Sequence, residues 1–429
     1  MAASADHPQN LSERLIVCTI AATWGLWLVG GLYVAGPLLG WALGTLVAAK
    51  FYLAPGLVLT ERPRSIGFAV RIWLGGMAAM LAVLLVGHAN FDLGPAATLK
   101  SSIGWAKGWA LLALFPLAGA VLDIRAALIY RSVCHLGRQT LYLLPVLLVA
   151  PYIGLAETLW TSPLKIFGGA DDAFFAVVLY TLEPGSGSAR WQFFAPWSPA
   201  AGLIGVVYLL CAVEEKDGRW RAIGCAAGLA MILMAQSRLA LVAVAIAWPL
   251  AFAVSRLNRA GIWFAAVPVV LAGSWFWPVL LSIIDKAQAD FTGARAESSR
   301  VRATLGRIAV ERWEHEAYWF GHGIVERGPH LVEYMPIGSH HSWYGLLFVK
   351  GIAGLCALAI PLAVTLIACA STSLKTAAGR VGLSMALVYV LYSFGENLEV
   401  VSYLCWPALL LIGIALRVPD SSASTPATP

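Results

Sequence analysis

The chain has 429 residues, of which 59% are hydrophobic and 12% are charged, and its formal net charge at pH 7 is +6. Soluble globular domains carry about 25% charged residues, so this composition excludes an ordinary soluble protein and indicates an integral membrane protein. Most basic residues lie in short loops between apolar runs, so the positive charge gives no indication of a nucleic-acid partner.

Long apolar runs define the expected fold, because a membrane-spanning helix needs about 20 mainly apolar residues. We predict an all-α integral membrane protein with about 12 transmembrane helices, near residues 15–35, 37–58, 72–88, 105–122, 139–158, 198–213, 220–236, 239–255, 261–284, 342–370, 381–395 and 400–417. The chain then divides into helices 1–9 (1–284, with an outer loop near 160–199), a large outer loop before the tenth helix (285–341), helices 10–12 (342–417) and a disordered cytoplasmic tail (418–429).

Basic residues are distributed unequally between the two sides of the predicted membrane. If the N-terminus is inside, the predicted cytoplasmic segments carry 15 Lys and Arg residues, whereas the short outer segments carry five. Short cytoplasmic loops of membrane proteins are enriched in Lys and Arg, so we expect both termini in the cytoplasm. The large outer loop is also basic, but long loops do not follow this rule.

The large outer loop is predicted to hold a helix at 299–320 with three apolar residues on one face, Val301, Leu305 and Ile308. This amphipathic pattern is typical of a helix that lies on a membrane surface or covers a cavity. Arg300 and Arg307 belong to the helix, and His322 follows it. We expect these three side chains to contact a substrate held under the loop.

Two histidines begin the tenth predicted span, in the segment 340–344 (HHSWY). Imidazole is the side chain best suited to move protons near neutral pH, and this position would let His340 meet a lipid-linked substrate at the outer surface. The ordinary alternative is a hydrated histidine pair packed beside Trp343 at the membrane interface. A metal site that recruits His330 and Glu333 is a third alternative, although the spacings match no strong zinc pattern.

Two arginines occur in short polar segments next to predicted spans. Arg238 lies in a turn between two apolar runs, where a guanidinium is costly unless it faces an anion, a polar cavity or the outer headgroups. Arg190 follows a Gly/Ser segment and precedes aromatic and proline residues at the entry to a span. Both guanidiniums suit phosphate oxygens, but a snorkelling Arg238 and an ordinary loop at Arg190 are equally simple interpretations.

Glu396 and Glu399 lie in the predicted turn between the last two spans, where solvated surface charges are the ordinary interpretation. The predicted topology puts Glu396, His340, Arg190 and Arg238 on the outer face. Two guanidiniums beside a candidate base suit substitution at an anomeric carbon whose leaving group is a diphosphate. Because the sequence has no Asp-rich metal motif near an apolar helix end, we expect a metal-independent reaction without a cofactor.

These motifs together resemble a known family. The series Gly321-x-Gly323, 339–344 (SHHSWY) and 350–355 (KGIAGL) resembles the signature of the O-antigen ligase and Wzy-type polysaccharide polymerase superfamily. The turn at Arg238 resembles the family's Ser-Arg motif. Twelve spans with a large outer loop before the tenth also match the family architecture.

The resemblance implies roles for individual residues. It implies that the catalytic residues are His340, Arg190 and Arg238, where Arg190 and the Phe and Pro after it resemble a further family segment. Substrate contacts are expected from His341, Tyr344, Arg300, Arg307, His322 and Glu396. The chain departs from the family pattern at His341 and Trp197, which both stand where Asn is usual.

The family acts on undecaprenyl-diphosphate-linked glycans, and the chain looks most like exopolysaccharide polymerases of the xanthan type. The resemblance implies a glycosyltransferase of the bacterial inner membrane that polymerises oligosaccharide repeat units at a periplasmic active site. Its implied partners are the lipid bilayer, a flippase and a chain-length-regulating co-polymerase. O-antigen ligase activity toward lipid A core is the nearest alternative, and a lipid-linked oligosaccharide flippase and a non-catalytic export scaffold are alternatives from other classes.

Overall fold

The computed structural model describes residues 7–52, 64–168, 171–183, 187–259, 296–329 and 335–418. These residues are mostly helical, as the composition predicts, with helices α1 Leu11–Ala21, α2 Thr23–Leu28, α3 Leu32–Tyr52, α4 Phe68–Asn90, α5 Gly94–Lys107, α6 Leu111–Val121, α7 Ala126–Val149, α8 Ser198–Val213, α9 Gly218–Met234, α10 Arg238–Val254, α11 Ala296–Glu316, α12 Ser342–Ser373, α13 Ala377–Ser393 and α14 Leu398–Ala415. They also include four short strands, β1 Thr158–Thr161, β2 Ala176–Val178, β3 Tyr180–Leu182 and β4 Ala189–Trp191.

The helices of this chain are those of a membrane-embedded protein. Within the described residues, six helical stretches are long and apolar enough to cross a membrane: α3, α4, α5 with α6, α7, α12 and α14. Three shorter helices, α8, α10 and α13, are also apolar. Large apolar side chains such as Ile367 (69% exposed) and Leu38 (65% exposed) point outward, which suits contact with lipid tails and not with water.

Eleven of the predicted spans overlap helices, and the span predicted at 261–284 lies outside the described residues. The predicted tail lies outside them beyond Val418. The helix α8 has the predicted bounds, and α10 differs from its prediction by one residue at each end. The total of twelve spans stays a prediction.

The helix α7 begins at Ala126, whereas its span was predicted from residue 139. Its first turns are charged, but Arg131 forms an ion pair with Glu215 at 3.0 Å, and the Arg138 guanidinium lies 5.1 Å from the centre of the Trp220 ring. These partners come from the α8–α9 region. The hydropathy of α7 alone therefore placed its start too late.

The outer loop predicted near 160–199 is not helical throughout. The strands β1 and β2 form one antiparallel pair, and β3 and β4 form a second in which Thr181 lies opposite Arg190. The all-α prediction is therefore correct for the membrane-spanning part but not for this loop. The second pair holds Arg190 seven residues before Trp197, which precedes α8.

The last helix, α14, is buried over nearly its whole length and packs against α6, α13 and α3. A helix surrounded in this way lies in the interior of the bundle. The turn that precedes it, between Ser393 and Leu398, is therefore also held among other helices at one end of the bundle.

The helix α12 is interrupted at Gly351, where φ is 61° and ψ is −166°. The segment 318–323, called here the crossing segment, pairs with the backbone on both sides of the interruption. The four hydrogen bonds are His322 N to Phe348 O (2.9 Å), Gly323 N to Val349 O (3.0 Å), Ile352 N to Tyr318 O (3.0 Å) and Ala353 N to Trp319 O (3.2 Å). They satisfy backbone groups that a continuous helix would pair internally.

The two glycine motifs of the sequence meet at this interruption. A Cβ atom added at Gly321 would lie 2.3 Å from the backbone nitrogen of Lys350, and one added at Gly351 would lie 2.5 Å from the carbonyl group of Trp319. Both positions therefore need glycine because two backbones touch there. The contact fixes the segment that follows α11 against α12.

Candidate functional site

The start of α12 is fastened to the turn before α14 by side-chain hydrogen bonds. The hydroxyl of Ser342 donates to the carbonyl of Glu396 at 2.7 Å and accepts from the amide of Leu398 at 3.0 Å. The indole of Trp343 donates to the Ser393 hydroxyl at 2.9 Å. His341 caps α12, since its Nδ1 accepts from the amide nitrogen of Tyr344 at 3.3 Å. The histidine motif and the Glu396 turn therefore form one unit.

Glu396 is buried, with 1% of its surface exposed, so its interpretation as a solvated surface charge is wrong. The indole nitrogen of Trp197 donates to Oε2 at 3.1 Å, while Oε1 has no hydrogen-bond partner among the described residues. Burial raises the pKa of this carboxyl to about 7, although Arg302 and the Trp197 hydrogen bond act in the opposite direction. A carboxyl with such a pKa can accept or donate a proton near neutral pH.

The two arginine motifs lie against each other. A guanidinium nitrogen of Arg190 donates to the carbonyl of Ala235 at 3.2 Å, and the Gln236 amide donates to the carbonyl of Ala189 at 3.2 Å. These bonds dock strand β4 on the turn that ends at Arg238, the first residue of α10. Both guanidiniums thus extend from one docked pair of segments.

The arginine segments also reach the Glu396 turn. Trp197, seven residues after Arg190, donates to Glu396 as described above. On the other side, a Cβ atom added at Gly395 would lie 2.6 Å from a methyl carbon of Leu239, the residue after Arg238. The predicted catalytic segments are therefore brought together around Glu396.

Three residues of these motifs have a left-handed backbone: Phe193 (φ 54°), Gln236 (φ 49°) and His340 (φ 60°). The described residues contain only one other non-glycine residue with positive φ, Asp92. Such a conformation is unfavourable for an L-residue and tends to occur at functional sites. Its presence in all three motifs is independent support for a site.

Arg302 is a site residue that the sequence interpretation missed. Its charge lies close enough to lower the pKa of both His340 and Glu396. Helical spacing contains the signal, because Arg302 stands three and seven positions before Leu305 and Ala309, which are buried, and so shares their face. Arg300, which was predicted to contact the substrate, is exposed, as is Arg302.

The two histidines lose basicity in this environment. Burial lowers the pKa of His340 to about 4, with a smaller contribution from the positive charge of Arg302. Burial also lowers the pKa of His341 to about 4. Both imidazoles are therefore neutral at pH 7, and each can donate and accept one hydrogen bond.

Tyr344 and Arg307, both predicted to contact the substrate, lie close together. They line a cavity of about 440 Å³ between α11 and the start of α12. The Tyr344 ring stacks on His341 with the ring centres 4.0 Å apart. The cavity gives these two residues a common ligand-accessible surface.

His322 lies away from this cluster. Its two ring nitrogens contact the Phe348 carbonyl at 3.0 Å and Glu316 at 2.7 Å, and its ring stacks on Phe348. It is buried, so these contacts make it part of the crossing segment's packing, and its predicted substrate contact stays a prediction. His330 and Glu333, the alternative metal ligands, lie outside the described residues.

Comparisons with known proteins do not assign this chain to a family. No protein-family model matches it, and no curated protein matches it significantly.

Proposed function

We propose that the chain is a glycosyltransferase of the bacterial inner membrane that polymerises undecaprenyl-diphosphate-linked repeat units into an exopolysaccharide. Its termini would lie in the cytoplasm and its site would face the periplasm. The observation that carries this proposal is the buried carboxylate of Glu396, which Trp197 and the start of α12 hold in place. Around it lie the segments that bear Arg190, Arg238 and His340.

In the proposed reaction, Arg190 and Arg238 bind the diphosphate of the donor. Their guanidiniums suit phosphate oxygens and neutralise the charge that develops on the leaving group. A hydroxyl oxygen of the acceptor sugar forms a bond to the anomeric carbon of the donor. The bond between that carbon and the diphosphate oxygen breaks, and its electron pair leaves with undecaprenyl diphosphate.

The hydroxyl proton passes to Glu396 in this proposal. A base works best when the pKa of its conjugate acid lies near the working pH, and the pKa of Glu396 is raised by burial to about 7. The pKa of His340 is lowered to about 4, which makes its imidazole a weak base. His340 is better suited to orient the acceptor hydroxyl through a hydrogen bond.

The proposal is tested with purified protein in nanodiscs, undecaprenyl-diphosphate-linked repeat units and EDTA. We expect a ladder of longer glycans from the unchanged protein and none from His340→Ala, Arg190→Ala or Arg238→Ala. Arg327→Ala, an exposed arginine of the outer loop, is the matched control and should retain the ladder. If the three site variants made normal polymer at equal protein levels, the site would be rejected.

The same assay separates the alternative functions. Transfer that requires added lipid A core would identify an O-antigen ligase. If no transfer occurred with either acceptor but lipid-linked glycan crossed the bilayer, the protein would be a flippase.

A further inference from the structure

One face of α11 forms a groove with the first turn of α12. The cavity of about 440 Å³ is lined by Ala303, Gly306, Arg307, Val310, Glu311, Glu314 and Tyr344. The six residues of α11 fall at positions i, i+3, i+4, i+7, i+8 and i+11, so they share one side of the helix. A volume of this size lies in the range of ligand-binding clefts, which is about 300–1,000 Å³.

The other side of α11 is anchored to α12, which leaves this groove facing outward. Leu305 and Ala309 are buried there. The Arg312 guanidinium lies 5.1 Å from the centre of the Phe348 ring, and it pairs with Glu316 at 2.8 Å and with Glu326. Packing and charge pairing thus fix the rotation of α11 about its axis.

One wall of the groove is the aromatic ring of Tyr344, which packs against Gly306. A Cβ atom added at Gly306 would lie 2.7 Å from the Tyr344 ring, so the helix approaches the ring closely because position 306 has no side chain. His341 stacks against the same ring at 4.0 Å. The ring is therefore held in a fixed orientation, and it lies on the wall of the cavity.

Three charged side chains line the same groove as this ring. The side chains of Arg307, Glu311 and Glu314 have no hydrogen bond or ion pair with other described residues. Arg307 supplies donors, and the two carboxylates supply acceptors. Their combined charge is negative, which disfavours a phosphate or an acidic ligand.

We propose that this groove is a saccharide subsite, in which a sugar ring stacks on Tyr344 and its hydroxyls bind Arg307, Glu311 and Glu314. The inference rests on the proposed function and specifies where the glycan lies, apart from the diphosphate at Arg190 and Arg238. An aromatic face presents an apolar surface to the C–H groups of a sugar ring, and the flanking groups match donors and acceptors of its hydroxyls.

The experiment uses the full-length protein in nanodiscs and saturation-transfer NMR. The NMR ligand is the repeat-unit oligosaccharide. It is isolated from the cells that produce the polymer and is released from its lipid carrier by mild acid. The variants are Tyr344→Ala, Tyr344→Phe and Arg307→Ala. Tyr152→Ala is the matched control, since Tyr152 is 85% exposed in a turn outside the groove. Inorganic pyrophosphate in excess serves as a competitor.

We expect Tyr344→Ala and Arg307→Ala to weaken binding roughly tenfold, the size expected for losing one aromatic stacking surface or one charged hydrogen bond. Tyr344→Phe and Tyr152→Ala should bind as the unchanged protein does, and pyrophosphate should not displace the sugar. Unchanged binding in Tyr344→Ala, equal weakening in Tyr152→Ala, or displacement by pyrophosphate would overturn the saccharide subsite.

Failure of the proposed function would look different from failure of the subsite. If the sugar binds with this variant pattern but the unchanged protein makes no glycan ladder, the polymerase proposal fails and the subsite stands. If the unchanged protein makes the ladder, and Tyr344→Ala has the same KM for the lipid-linked substrate, the subsite fails and the polymerase proposal stands.

Discussion

The indole nitrogen of Trp197 lies 3.1 Å from a carboxylate oxygen of Glu396, and this hydrogen bond joins two residues that are 199 positions apart. Trp197 belongs to the segment that enters α8, and Glu396 to the turn before α14. The bond thus connects the arginine-bearing half of the site to the half that bears the histidines.

Replacing Glu396 with Gln should lower the transfer rate roughly 100-fold or more, because general bases contribute about 10²–10⁴-fold to catalysis. In the unchanged protein, the rate should rise with pH through about 7, the raised pKa of the Glu396 carboxyl, as the carboxylate forms. Glu396→Gln should lose this rise, whereas Glu396→Asp should keep it. A glycan-ladder assay between pH 5.5 and 8.5 measures both effects. An unchanged pH profile in Glu396→Gln would exclude Glu396 as the base.

The same carboxyl should make the stability of the protein depend on pH. Its folded pKa is raised from 4.5 to about 7, so its contribution is fully present below about pH 4.5 and is lost as pH rises through 7. A shift of this size corresponds to about 3 kcal/mol at most. We expect Tm to fall between pH 5 and 8 in the unchanged protein and to fall less in Glu396→Gln. Equal slopes would contradict the burial of an ionisable carboxyl.

Removing the indole donor should change both the stability and the titration of Glu396. Trp197→Phe leaves a buried carboxylate oxygen without its partner, which should cost about 1–3 kcal/mol. The Trp197 hydrogen bond lowers the Glu396 pKa, so its loss should shift the rise of the transfer rate to higher pH. Trp160→Phe is the control, since its indole donates to the Leu28 carbonyl at an exposed position, and it should leave the pH profile unchanged.

Arg302→Ala should raise the pKa of His340 and of Glu396, because the Arg302 charge lowers both. The rise in transfer rate should therefore move to higher pH, and the ¹⁵N-detected titration of His340 should move the same way. Arg300→Ala, two positions away and exposed, is the control. A shift in both variants would mean that general outer-loop charge is responsible, and not the position of Arg302.

Gly351→Ala should destabilise the protein by roughly 1–3 kcal/mol. Its backbone lies in a region that is essentially restricted to glycine, and an added Cβ would meet the Trp319 carbonyl at 2.5 Å. Gly75→Ala in α4 is the matched control, because nothing lies within 4 Å of its added Cβ, and it should be neutral or slightly stabilising. Thermal unfolding in nanodiscs measures both. Equal Tm values would mean that the crossing segment can leave α12 at little cost.

The sequence predicts elements well where the determining signals are local. The bounds of α8 and α10 could be placed because Pro199 lies in the first turn of one and Ser237 caps the other. The start of α7 could not be placed from the sequence, because Glu215, the residue that neutralises Arg131, lies 84 positions away. Hydropathy describes one segment at a time and contains no information on such pairs.

The candidate site also contains some residues that local sequence predicts and others that depend on packing between distant segments. Residue types and spacing predict His340, Arg190 and Arg238 as candidates, because a histidine pair and isolated arginines are conspicuous among apolar runs. The burial of Glu396 depends on Trp197 and on the packing of α14, neither of which a turn sequence reveals. Arg302 could have been predicted from the sequence, since helical spacing places it on the face of the buried residue Leu305.

The long sequence separation between Trp197 and Glu396 determines when the candidate site can be completed during synthesis of the chain. All segments with the two arginines and the histidines emerge from the ribosome before α14, the last helix of the described chain. Until the chain past Leu398 has entered the bilayer, Trp197 has no carboxylate to hold and Ser342 has no backbone partner in the turn. If the proposed function holds, we expect a chain truncated before this helix to be inactive toward lipid-linked precursors.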